Sequence, residues 1–284
     1  MEKAAASAAD HVFFDLEDAC APSEKTRARA LAVDALRSHD FGSKTRAVRV
    51  NGVTTPWCLR DILEVVTGAS GFLDALIVPK VEKASEVHFV HHLLDGIELE
   101  VNATRPIRLE VLIESALGAT NVREIARASD RIDALIFGPA DYSASVGVPQ
   151  GEIGEIDERY PGHQWHWVMS EIVAHARAAG LQAIDGPHAD YAARASYETS
   201  AVRAKLLGFE GKWCIHPNQI LWANEIFSPT PEELAAARRV VDAYAEALRT
   251  GHGAIAVDGK LVDEASRRMA EATLARGDVV RTSP

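Results

Sequence analysis

Seven short apolar runs in this 284-residue chain each stop at side chains capable of chemistry, and helix-like stretches separate them. HVFFDL leads through Asp15 to Glu17 and Asp18. TRAVRVN carries Arg49 and Asn51, and DALIVPK ends at Lys80. IRLEVLIES ends at Glu114 and Ser115, and DALIFGPAD at Asp141. LQAIDGPHAD carries Asp185, His188 and Asp190, and KWCIHPN ends at His216 and Asn218. Runs this apolar, alternating with helices, are expected of parallel strands covered on both faces. Polar groups gathered at strand ends suit a (β/α)8 TIM barrel, whose active site lies at the C-terminal ends of its strands. A closed barrel needs eight strands, and seven runs are legible. The chain opens inside a helix-like stretch, Ala4 to Ala9. The one spare strand candidate, near residue 100, lies directly before the run at Ile107, with Pro106 between them. The expectation is an α/β TIM barrel over residues 1–228 whose first strand is missing from this chain. A C-terminal helical lid and oligomerisation segment follows over 229–284.

Composition narrows the function. Hydrophobic residues make up 47% of the chain, enough for a large core. A net charge of −11 with no Lys/Arg cluster argues against a nucleic-acid surface. No run is long enough to span a membrane, and MEKAAASAAD has no apolar signal-peptide core. Cys20, Cys58 and Cys214 show no CxxC spacing and read as thiols in a reducing cytoplasm. His88, His91 and His92 share a helix-like stretch without HExxH spacing. They read as partly solvated helix residues, not metal ligands.

The strand-end carboxylates come next. Glu114 and Asp141 lie 27 residues apart (141 − 114), about one βα unit, so they fall on adjacent strand ends. Two carboxylates so placed suit Mg²⁺, which is usually held by one or two of them plus waters and substrate oxygens. A helix cap or an ion-pair partner is an equally good reading of each. Arg49 stands in an apolar run and needs anionic partners, either a substrate oxyanion or Asp15 or Glu17. Lys80 is a strand-end amine of the kind a Schiff-base aldolase uses, but that role needs a depressed pKa, which nearby Glu82 opposes.

FFDLEDACAPSEK, VRVNG, LIVPKVE, LIESALG, FGPADYSASVG and IHPNQI, in this order and spacing, resemble the HpcH/HpaI aldolase/citrate lyase β-subunit family over nearly the whole chain. FGPADYSASVGVP and GAIAVDGKLVDEASRRMAEATLA are most similar to its L-malyl-CoA/β-methylmalyl-CoA lyase branch. The resemblance implies a Mg²⁺- or Mn²⁺-dependent enzyme that cleaves or forms a carbon–carbon bond next to a CoA thioester, releasing glyoxylate and acetyl-CoA or propionyl-CoA. It implies Glu114 and Asp141 as metal ligands and Arg49 as the oxyanion-binding arginine. Asp258 matches an aspartate on a C-terminal flap that closes over a neighbouring subunit's site, in a homo-trimer or homo-hexamer. Asp15, Glu17, Asp18, Pro139 and His216 are the expected supporting or substrate-binding residues. Related outcomes left open are citramalyl-CoA or citryl-CoA cleavage, malyl-CoA thioester hydrolysis and an acyl-carrier-dependent lyase subunit. The family pattern begins with one further strand, bearing a basic residue and a glycine turn near the CoA, which this sequence lacks.

Overall fold

Seven strands of one parallel sheet form from the seven apolar runs: β1 (His11–Asp15), β2 (Thr45–Arg49), β3 (Ala75–Val78), β4 (Arg108–Ile113), β5 (Ile132–Phe137), β6 (Gln182–Asp185) and β7 (Gly211–Lys212). The computed structural model describes residues 2–148 and 163–282. Pro149 of the FGPADYSASVGVP motif therefore lies outside the described residues. Strand order is sequential, β1 to β7, and every neighbouring pair is parallel. Parallel neighbours require a crossover, and helices such as Lys25–Ser38, Cys58–Gly68, Ala84–Glu100 and His166–Ala179 supply it.

The expected closed (β/α)8 TIM barrel does not form. The sheet is open: β1 pairs only with β2, and β7 only with β6. No eighth strand joins the sheet among the described residues, because the spare candidate near residue 100 is the last turn of the Ala84–Glu100 helix. The sheet nevertheless curls strongly. Six inter-strand steps of about 4.8 Å would hold the edges of a flat sheet nearly 30 Å apart. Instead, the ring of Phe13 on β1 meets Trp213, just after β7, with centroids 4.5 Å apart. The concave face is filled by Ala47, Ala75, Ile77, Leu112 and Ile136, with Phe13, Ile184 and Trp213 packed against them. Small alanines on β2 and β3 leave room for the large rings opposite.

A polar pair sits at the other end of the strands. Burial, then the charge of Asp133, pushes the Glu110 carboxyl up to about 8. Burial lowers His11 to about 4. Their atoms lie 3.3 Å apart, and burial disfavours the charged form of each.

Two compact units divide the chain, Met1–Ala223 and Asn224–Pro284. The second holds the long helix Pro231–Arg249, a hairpin of β8 (Ile255–Val257) and β9 (Lys260–Val262), and the helix Glu264–Thr282. Thr230 caps the first of these helices by accepting from the Glu233 N–H at 3.1 Å, and Glu233 returns the bond in a capping box. Asp258 and Gly259 form the hairpin turn with φ of 52° and 75°, the two positive values a type I′ turn requires.

Trp213 carries the contact between the two sheet edges, so Trp213→Ala should cost about 3 kcal/mol. The check is a lower denaturant midpoint at unchanged slope.

Candidate metal and substrate site

Asp15 and Arg49 are register partners at the ends of β1 and β2. The Arg49 guanidinium donates to both Asp15 oxygens, at 2.8 and 2.6 Å. Its third nitrogen lies 3.1 Å from Glu17 Oε2, and its plane sits 5.5 Å from the Trp213 ring centroid. Burial would raise the Asp15 pKa. The hydrogen bonds and charge of Arg49, with the N–H groups of Glu17 and Ala19, hold it below the usual carboxylate range. Arg49 is thus a locked, fully charged fork whose orientation is set by two carboxylates.

Lys80 follows β3 with a φ of 54°, in the left-handed region. Its backbone N–H donates to Glu114 Oε1 at 2.7 Å. Its ammonium donates to Glu17 in a short contact, lies 3.3 Å from Asp18 Oδ1 and 3.7 Å from Asp141 Oδ1. Partial burial pulls its pKa down, but the hydrogen bond to Glu17 and the charges of Glu17, Asp141 and Asp18 carry it above the ordinary lysine value. The Schiff-base reading fails on this point, since that chemistry needs a free amine near neutral pH.

Glu114 follows β4 and is 3% exposed. It does not cap the next helix. Ser115 does, accepting from the Gly118 N–H at 3.0 Å. Burial first, and then the charge of Asp141, pushes the Glu114 carboxyl up to about 7. Across from it, β5 ends in Phe137-Gly138-Pro139, and Asp141 lies in the first turn of the helix Pro139–Val146. Gly138 must be glycine here, because a Cβ would stand 2.5 Å from the Glu114 Cβ. Pro139, at the first turn of the helix, packs where any Cβ on Gly186 would collide with it. Two further bonds anchor the helix: Ser145 Oγ accepts from the Ala116 N–H at 2.9 Å, and Trp165 Nε1 donates to Ser143 Oγ at 2.9 Å. The result is a buried carboxylate whose charged form is disfavoured by burial and by Asp141, beside a half-exposed one. Hard oxygen donors in that state fit Mg²⁺ or Mn²⁺.

Two buried polar networks prove structural, and sequence reasoning passed over Lys25, Arg29, Asp61 and Lys212 in them. The Lys25 ammonium is buried and donates to Leu16 O, Glu17 O and Asn51 Oδ1 at 2.8, 3.0 and 2.7 Å, beneath the Trp57 ring. Asn51 donates through Nδ2 to Leu16 O and Asp61, and Asp61 accepts from Arg29 at 3.0 Å. This network pins the loop that carries Glu17 and Asp18. A sequence signal existed: Lys25 and Arg29 extend the apolar stripe of Ala32 and Leu36 at helical spacing. Lys212 and Asp185, opposite each other on β7 and β6, form a second buried pair.

His216 stacks on Tyr191, with centroids 4.7 Å apart. No hydrogen bond or ion pair joins it to the carboxylates among the described residues. Asp258 belongs to the second unit, 3.5 Å from Arg239 and largely exposed. His91 and His92 face one oxygen of Asp95 at 3.3 and 3.6 Å. The other oxygen is bound by Arg131 at 2.6 Å, so ion pairing accounts for this group. A cavity of about 370 Å³ opens at the opposite strand ends. Its arginines are paired with Asp74 or Asp133.

Residues 1–217 match the HpcH/HpaI aldolase/citrate lyase family. The chain belongs to that family. It is 40% identical over 288 residues to the L-malyl-CoA/β-methylmalyl-CoA lyase of Cereibacter sphaeroides, covering 98% of this chain and 91% of that one. The malyl-CoA/β-methylmalyl-CoA/citramalyl-CoA lyase of Chloroflexus aurantiacus is 35% identical, over 90% of this chain and 77% of its own. Among solved structures, CitE of Mycobacterium tuberculosis in complex with magnesium, acetoacetate and coenzyme A aligns at a TM-score of 0.74. It shares 31% identity and covers 95% of this chain and 90% of its own.

The raised Glu114 pKa has a sign that can be measured. Its contribution to stability is fully present below about 4.5 and is lost as pH rises through about 7. In chelator-treated protein, Glu114→Gln should flatten that decline by about 3 kcal/mol across the window. Parallel pH profiles of wild type and variant in urea would show that Glu114 is not the group responsible.

Proposed function

We propose that this protein is a Mg²⁺-dependent carbon–carbon lyase. It reversibly cleaves L-malyl-CoA to glyoxylate and acetyl-CoA, and β-methylmalyl-CoA to glyoxylate and propionyl-CoA. The observation that carries the reading is the buried Glu114 beside Asp141, at one cluster of strand ends with Arg49 and Lys80. Near full-length relatives named for this activity support it, as does a neighbour bound to magnesium and coenzyme A.

Glu114 and Asp141 would hold the metal, and Mn²⁺ suits the same donors. When bound, Mg²⁺ supplies Lewis acidity at the α-hydroxy-acid end of the substrate. Cleavage breaks the bond between the hydroxyl-bearing carbon and the carbon next to the thioester. The hydroxyl loses a proton, and the electron pair of the broken bond moves onto the thioester enolate. Arg49 meets the developing oxyanion. Asp15 and Glu17 fix its plane, so no reorganisation is needed as charge appears. Asp18 and Lys80 line the same rim. Pro139 sets the start of the helix that presents Asp141, and His216 with Tyr191 offers a stacked aromatic surface near the end of β7. Asp258, at the tip of a tight hairpin, delivers the proton to the enolate carbon and removes it in the condensation direction. It serves a neighbouring subunit in a homo-trimer or homo-hexamer. Three free thiols suit the reducing cytoplasm.

The direct test is product analysis with malyl-CoA. Glyoxylate and acetyl-CoA should appear, EDTA should stop the reaction, and Glu114→Gln should lower turnover by several orders of magnitude. Malate with free CoA would identify a thioesterase instead, and an undiminished rate in metal-free protein would overturn the metal assignment.

Subunit sharing has its own test. Asp258→Asn and Glu114→Gln should each be inactive alone, and mixing them should restore part of the activity. No rescue despite demonstrated subunit exchange would place Asp258 outside a neighbour's site.

A further inference from the structure

Lys80 touches both halves of the carboxylate pair. Its N–H holds Glu114 Oε1 at 2.7 Å, and its ammonium lies 3.7 Å from Asp141 Oδ1. The same ammonium is bound by Glu17 and by Asp18 at 3.3 Å. In this position Lys80 adopts a φ of 54°. A side chain with a Cβ holds that conformation at a cost of about 1 kcal/mol or more, and nothing in strand or turn geometry requires a lysine there.

Four carboxylates surround this point: Glu17, Asp18, Glu114 and Asp141. Resting on the metal site proposed above, we propose that Lys80 is its built-in counter-cation. The ammonium holds Glu17, Asp18 and Asp141 together before a dication arrives, then competes with the dication for Asp141. Its flexible stem makes lysine suited to this, because the ammonium can withdraw toward Glu17 and half-exposed Asp18 without leaving carboxylate contact. The planar Arg49, already engaged by Asp15 and Glu17, cannot yield in the same way. Lys80 thus acts as a positioning residue that keeps like charges assembled and sets how tightly the metal binds.

A purely structural lysine and a competing one predict opposite signs. If Lys80 only supports the pocket, removing its charge loosens Asp141 and weakens metal binding. If it competes, removing the charge strengthens binding. The experiment is Mn²⁺ titration of the intact protein, read by the EPR signal of free Mn²⁺, with Mg²⁺ calorimetry beside it. Lys80→Met and Lys80→Gln should bind Mn²⁺ on the order of tenfold or more tighter, as expected when a cation a few ångströms from a dication is removed. Both should melt earlier than wild type in chelator. Lys80→Arg, which keeps the charge, should stay within about threefold of wild type. Equal or weaker binding by the folded neutral variants, beside a wild type that binds Mn²⁺, overturns this inference alone. Failure of both neutral variants to fold would mark a structural ion pair and overturn it too. A wild type that binds no Mn²⁺ overturns the metal site itself and this inference with it.

Discussion

Five carboxylates meet two cations at one cluster of strand ends. Asp15, Glu17, Asp18, Glu114 and Asp141 gather around Arg49 and Lys80. Like charges at this spacing repel by several kcal/mol where the surroundings are only partly aqueous, so the arrangement persists only if other forces impose it. The sheet register imposes part of it, putting Asp15 opposite Arg49. The buried Lys25–Asn51–Asp61–Arg29 network imposes another part by tying down the loop after β1. The remainder is relieved by chemistry: Glu114 takes up a proton near neutrality, or a dication replaces it. A cluster that is uncomfortable when empty is well prepared to bind.

Much of this was legible in the sequence, for a plain reason. Buried parallel strands leave unbroken apolar runs, and the first polar residue after each run marks its end, so Arg49, Lys80, Glu114 and Asp141 could be picked out by position. Closure of the sheet could not be read this way. A run shows that a strand is buried, not which edges pair, and KWCIHPN contributes only its first residue, Lys212, to the two-residue strand Gly211–Lys212. The hairpin around Asp258 was hidden because three-residue strands carry no periodicity. The Pro217–Phe227 helix likewise went unread. Lys25 and Asp61 were obscure because a buried charge makes sense only once its partners are known. Lys25 finds Asn51 across 26 positions of chain.

Backbone clearance matters as much as charge in setting the site. Gly138 and Gly186 contribute no side chain, yet each removes a collision that would push Glu114 or Pro139 away. The first lets a carboxylate lie directly over the neighbouring strand end. The second lets the rigid proline ring seat the helix that carries Asp141. In a close-packed interior such gaps are specific, because displaced atoms have nowhere to go.

The meeting of Phe13 and Trp213 has a mechanical consequence. A fully hydrogen-bonded cylinder resists deformation equally around its circumference. Here one line, between the first and last strands, is held by aromatic contact and by the guanidinium lying on the same indole. Among the described residues no backbone hydrogen bond joins β1 to β7. That line therefore lacks the backbone ladder that ties the other neighbouring strands together, and it passes beside Arg49. Glu114 and Asp141, by contrast, follow β4 and β5, which are joined by a backbone ladder, so their spacing is tied to backbone hydrogen bonds and not to a side-chain contact.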